Sequence, residues 1–175
     1  MALEALEELR QSLPEPAKDL KLNLQSVLQG GSLNDAQRWG VALASAYGTR
    51  HKALIEATRK DATAAVGEDV VADAQGAAAL MGMNNVYYRF RHMIGKDSYQ
   101  SMRAGLRMNY MAKPATNKGD FELFSLAVSV INGCEMCVKT HEASILKHEL
   151  SEAQVNDTVR IAATFYGVAT ALDTF

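Results

Sequence analysis

Hydrophobic positions recur at helical spacing almost throughout the chain. The N-terminal stretch MALEALEELRQSL is amphipathic and acidic and predicts a first helix, punctuated by Pro14 and Pro16. Leu20, Leu24, Val27 and Leu28 then share one helical face until Gly30-Gly31 stops the run. Asn34 with Gln37 three residues on forms a capping-box pattern that opens a helix over 35–47, broken at Gly48. A second helix is predicted over 50–63 and an alanine-rich one over 68–93. Residues 95–118 are less regular and predict one short helix near 98–104, then a loop around Pro114. An apolar helix over 120–131 ends at Asn132-Gly133. The next runs from Cys134 to about His148, and Ser151 with Gln154 opens the last, over 152–172. No convincing strand run occurs, so the pattern predicts a single all-α domain over 1–175.

A faint internal repeat adds to this reading. Shifting the chain by 85 positions superposes Gly48 on Gly133, Ala77-Ala78 on Ala162-Ala163, Gly82 on Gly167 and Phe90 on Phe175. Solenoids need at least three units, so two packed half-copies, about 34–90 and 119–175, are expected. Thr49 and Lys52 fall where the second half has Cys134 and Cys137. The first copy is therefore expected to be structural and the second to hold the chemistry.

Composition narrows the class of function. The chain has 175 residues, 48% hydrophobic and 22% charged, with a net charge of −2. That offers no basic field for nucleic acid and no polybasic patch for a membrane. No uncharged stretch approaches the roughly 20 residues of a membrane span, and the N-terminus does not read as a signal peptide. With only two cysteines, a disulfide-stapled secreted scaffold is not indicated, and a cytoplasmic location is expected.

Both cysteines lie in INGCEMCVKTHE, residues 131–142. On a helix, Cys134, Cys137 and His141 fall within an arc of about 60°, and Cys137 with His141 is an i, i+4 pair. Cys134 would sit in the first turn, where free backbone N–H groups and the helix dipole favour a thiolate. The spacing lets two sulfurs close a disulfide within one turn. Two buried cysteines as core residues, or a metal half-site, are the alternatives. His148 lies about 21 Å along the helix from Cys134, too far to share an ion with it, and no second C-x-x-C is present. A thioredoxin-like setting would place the motif after a strand, which this chain lacks. Glu122, in the otherwise apolar DFELFSLAVSVING, reads either as a solvent-facing first-turn carboxylate or as a proton relay brought back to His141 by the break at Gly133. His51, His92 and His148 read as structural. VYYRFRH reads as packing and ion pairs at an oligomer interface, and Met81, Met83 and Met93 as core or interface residues.

MNNVYYRFRHMIG, FELFSLAVSVINGCEMCVKTHE and VRIAATFYGVATALD together resemble the alkyl hydroperoxidase D family of the carboxymuconolactone decarboxylase-like superfamily. The likeness spans nearly the whole chain and carries the motif E-x11-C-x2-C-x3-H as Glu122, Cys134, Cys137 and His141. It implies an all-α fold with an internal two-fold repeat and a homotrimer. It also implies an antioxidant, lipoyl-dependent peroxidase that reduces alkyl hydroperoxides or a partner peroxiredoxin. In that reading Cys137 is the thiolate that meets peroxide, Cys134 the proton donor and resolving thiol, and His141 with Glu122 the proton relay. The first-turn argument alone would favour Cys134 as nucleophile, and the resemblance reverses that order. No bound cofactor or metal is implied. Electrons would come from dihydrolipoyl groups on the acyltransferase of a 2-oxoacid dehydrogenase, recharged by dihydrolipoamide dehydrogenase and NADH. Met136 departs from members that place a histidine directly before the second cysteine. Two rival functions remain: a lyase of the carboxymuconolactone decarboxylase type, and a helical metal- or partner-binding module.

Overall fold

The computed structural model of the protein describes residues 4–175; residues 1–3 of the expected first helix lie outside the described residues. The described residues form ten α-helices and one 3-10 turn, and no strand occurs among them. In chain order these are α1 (Glu4–Ser12), α2 (Lys18–Gln29), α3 (Asp35–Thr49), α4 (Lys52–Val66), α5 (Glu68–Ile94), α6 (Asp97–Ser101), α7 (Asn109–Ala112), α8 (Lys118–Ile131), α9 (Glu135–Lys147) and α10 (Glu152–Thr174).

The centre is a pair of helices, α3 and α8, whose sequences are apolar on nearly every face and which are sealed from solvent along most of their length. They approach closely because Gly40 carries no side chain: a Cβ there would lie 2.1 Å from the ring of Phe124. The long helices flank this pair reciprocally, since α5 and α10 each pack on both α3 and α8. The shorter α4 and α9 cover α3 and α8 respectively, α1 lies on α4, and α2 lies on α10. A helix–helix–long-helix order thus occurs twice, over α3–α5 and over α8–α10, with α6 and α7 in the connector between.

The caps follow the sequence at two helix starts, and a third cap, which the sequence does not suggest, starts α8 at Lys118 rather than at 120. Asn34 and Ser151 each close a capping box with the glutamine three residues on, and Asn117 accepts the Asp120 amide at the head of α8. The stop after α3 differs from expectation. Gly48 lies inside the helix, where its bare Cα faces Ile131, and Arg50, in the left-handed region at φ 65°, ends it instead. In the next helix, α4, the imidazole of His51 is the N-cap, accepting the Leu54 amide through Nδ1 at 3.2 Å. The short helix expected over 98–104 ends at Ser101, and the loop ahead of Pro114 contains α7, which sequence periodicity is too brief to reveal.

The irregular connector is fastened by one buried carboxylate. Asp73 on α5 accepts hydrogen bonds from the Ala115 amide, the Thr116 amide and hydroxyl, and the Tyr110 hydroxyl, at 2.6–2.9 Å. Burial, then the hydrogen bond to Asp73, pushes the Tyr110 phenol above its ordinary value. Tyr110 also fills the space beside Gly76. The connector is thereby held against α5 with α7 next to the cysteines.

Candidate active site

Asn132-Gly133 ends α8 as the sequence suggests, with Gly133 in the left-handed region at φ 65° that glycine adopts without strain. The chain reverses there, and Cys134 becomes the N-cap of α9, its sulfur accepting the Cys137 amide at 3.4 Å. The two cysteines are joined as a disulfide, with Cα atoms 5.3 Å apart, a spacing one helical turn allows.

The reversal folds α9 back along α8. Glu122 Oε2 comes to 2.6 Å from His141 Nδ1 across the two helices. A carboxylate only accepts, so Nδ1 carries the hydrogen and the neutral imidazole keeps its lone pair on Nε2. That nitrogen points inward, 3.2 Å from Met81 Sδ on α5. His141 therefore presents its basic nitrogen to the interior while the carboxylate fixes its tautomer from behind. Glu122, Cys134, Cys137 and His141, distant in sequence by up to a full helix, form one cluster.

The two sulfurs have unequal access. Cys134 is 0% exposed and Cys137 6%, and only Cys137 reaches a cavity of about 300 Å³ that it shares with His141. Four methionines, Met81, Met108, Met111 and Met136, supply most of the remaining wall from α5, the connector and α9. Met136 and Thr140 also border a more open depression of about 600 Å³ along the outer face of α9, edged by His92, Lys139 and Lys147.

A polar latch holds the turn before the cysteines. Asn85 donates to Ser129 Oγ at 3.0 Å and accepts from Asn132 Nδ2 at 3.0 Å, while Arg89 donates to the Asn132 carbonyl. Arg89 lies in VYYRFRH, which the sequence assigns only to packing and an interface, and Asn85 just precedes it, with no role read for it from the sequence. Two adjacent carboxamides in the middle of an otherwise alanine-rich helix were the available signal, since asparagine is a poor helix former. Of the aromatic-basic run, Arg91 donates to the Gln100 carbonyl and lies over the rings of Tyr87 and Tyr88.

The other histidines stay apart from the cysteines. His51 caps α4 and lies 3.5 Å from Asp173, His92 pairs with Glu135 at 3.2 Å, and His148 is the C-cap of α9. The exposed Glu135 carboxyl is held below its ordinary value, first by its hydrogen bond to Lys139 and then by His92. Among the described residues, no group of three or more histidine, cysteine or acidic side chains is placed to hold a metal ion. No described helix is long and apolar enough to cross a membrane.

The model of the carboxymuconolactone decarboxylase family matches residues 97–175, from α6 to the end of the chain. A protein of Anaeromyxobacter dehalogenans (strain 2CP-C) named alkyl hydroperoxide reductase AhpD is 57% identical over 169 residues, covering 97% of this chain and 91% of its own. The chain belongs to the AhpD family. An AhpD of Maricaulis maris (strain MCS10) is 45% identical, with 96% of this chain and 97% of its own covered. One of Koribacter versatilis (strain Ellin345) is 41% identical, with 96% and 87% covered. The AhpD likeness thus takes in both helical halves, whereas the broader family model takes in the connector and the half that carries the cysteines.

Proposed function

We propose that this protein is an antioxidant peroxidase that reduces alkyl hydroperoxides through a dithiol–disulfide cycle of Cys134 and Cys137. The names of its relatives point to that activity, and the observation that carries it here is that Cys137 alone opens onto the cavity it shares with His141. In the reduced protein, His141 Nε2 takes the Cys137 thiol proton, with Glu122 stabilising the imidazolium. The thiolate attacks the distal oxygen of R–O–O–H, and the O–O bond breaks. The alkoxide leaves with its electron pair and takes the proton from His141, giving ROH and a Cys137 sulfenic acid. The Cys134 thiol then attacks the Cys137 sulfur, releasing water and closing the disulfide.

Re-reduction uses the same access. An incoming thiolate reaches Cys137 and expels Cys134, whose developing charge is met by the Cys137 amide at the head of α9. Dihydrolipoyl groups are the donor in this reading. Carried on the acyltransferase of a 2-oxoacid dehydrogenase, they are recharged by dihydrolipoamide dehydrogenase and NADH. The open depression along α9 shares Met136 and Thr140 with the cavity that Cys137 lines, and such an arm would lie along it. The same dithiol would regenerate a partner peroxiredoxin. We place the protein in the cytoplasm as a homotrimer with no bound cofactor.

The order of the thiols is tested by trapping. A Cys134→Ser variant, reduced and treated with one equivalent of cumene hydroperoxide and dimedone, should carry the adduct on Cys137 by mass spectrometry. An adduct formed equally fast on Cys134 in a Cys137→Ser variant contradicts the assignment.

A further inference from the structure

Asn84 lies in the middle of α5, is 4% exposed, and lines the cavity shared by Cys137 and His141. Buried carboxamides ordinarily spend their donors and acceptors on partners. Its neighbour Asn85 does so at both ends, with Ser129 and Asn132. Asn84 does not. Its Nδ2 meets only the weakly accepting Met111 Sδ, at 3.6 Å, and its shielded Oδ1 has no hydrogen-bond partner among the described residues. An apolar side chain of similar size would fill the position without leaving an amide acceptor unpaired.

The rest of the wall makes that vacancy of partners specific. The four methionines supply thioethers, the Thr140 hydroxyl is committed to the Met136 carbonyl at 2.8 Å, and Tyr88, the remaining polar side chain of the wall, is only half-buried. Apart from the reacting pair and the half-buried Tyr88, Asn84 is thus the buried polar group with unspent bonding capacity in a largely apolar wall. Such a group fixes the orientation of a ligand.

We propose that Asn84 binds the terminal O–H of an organic hydroperoxide and aims its distal oxygen at Cys137. This rests on the peroxidase reading given above. A hydroperoxide R–O–O–H has a single donor, on the distal oxygen, and the amide oxygen accepts it. The Cys137 thiolate attacks that same oxygen opposite the O–O bond, the pair from the broken O–O bond leaves with the alkoxide, and His141 supplies its proton. The hydrogen held by Asn84 stays on the distal oxygen throughout, so the amide holds the sulfenic S–O–H of Cys137 until Cys134 condenses with it. The R group occupies the methionine-lined space and makes no demand on Asn84.

The two half-reactions separate this role from a structural one. The rate of Cys137 oxidation by tert-butyl and by cumene hydroperoxide, and the rate of disulfide reduction by dihydrolipoamide, are measured for wild type, Asn84→Leu and Asn84→Ala. One lost hydrogen bond corresponds to a fall of about tenfold in the oxidation step, and the fall should be similar for both hydroperoxides. Disulfide reduction should change less than about twofold, and Asn84→Leu should melt no lower than wild type. Asn84→Ala serves where leucine does not fit. Oxidation at the wild-type rate in a folded variant overturns the assignment, and so does an equal loss in both half-reactions. A wild-type protein that no hydroperoxide oxidises overturns the peroxidase reading itself.

Discussion

At the residue scale, what surrounds each sulfur differs more than its sequence setting does. Cys134 is sealed beneath the first turn of α9 and receives the Cys137 amide, whereas Cys137 opens to the methionine-lined cavity beside His141. Glu122 touches none of the reacting atoms and acts through the 2.6 Å bond to His141 Nδ1. Glu122→Gln keeps the shape but removes the charge that stabilises the imidazolium. The peroxide step is expected to slow by about 100-fold, while the fold and the rate of disulfide closure from a preformed sulfenic acid change little. Stopped-flow oxidation of the reduced protein across pH measures this, and an unchanged rate would remove Glu122 from the relay. The cysteines and His141 were legible because one helix spaces them. Glu122 was ambiguous in the sequence, since only the reversal at Gly133 decides where its carboxylate points. Asn84, Met81, Met108 and Met111 were not legible as cavity residues, because α5 and the connector bring them to α9 from 26 to 56 positions away.

At the scale of elements, helix existence followed from periodicity and caps, while two boundaries went against local signals. Gly48 reads as a stop but is used for close contact with Ile131, and α7 is a single turn held in place by the Asp73 clasp rather than by its own sequence. The turn between α2 and α3 shows a similar dependence on tertiary contact. Gly31, at φ 101°, lies so close to α10 that a Cβ would meet Asp157 Oδ2 at 2.5 Å. Asp157 accepts the Ser32 amide and hydroxyl at 2.7 and 2.8 Å and Arg160 at 2.9 Å. Burial pushes this carboxyl up, but the Ser32 bonds and then Arg160 outweigh it and hold it below its ordinary value. A folded-state pKa depressed in this way contributes stability above the unfolded value, about 4, and loses it as the pH falls through the lower folded value. Asp157→Asn should therefore be less stable than wild type by about 1 kcal/mol at pH 7, with the difference shrinking below about pH 4. Thermal melts at both pH values check the trend, and a gap that widens in acid would contradict it.

At the scale of the molecule, the second half of α5 exposes an apolar stripe. Val86, Phe90 and Met93, spaced at i, i+4 and i+7, are 59%, 46% and 77% exposed. The stripe lies on the same helix as the latch residues Asn85 and Arg89, which gives the proposed homotrimer a surface beside the cysteine turn. Sedimentation velocity should find a trimer for the wild type and smaller species for Phe90→Glu, which would bury a charge in that contact; a monomeric wild type would contradict the assembly. The whole cycle is tested most directly by NADH consumption in the presence of cumene hydroperoxide, lipoamide and dihydrolipoamide dehydrogenase. The account predicts steady oxidation of NADH that requires the protein, the peroxide and lipoamide together and is lost in Cys137→Ser. Equal rates with wild type and Cys137→Ser would contradict it.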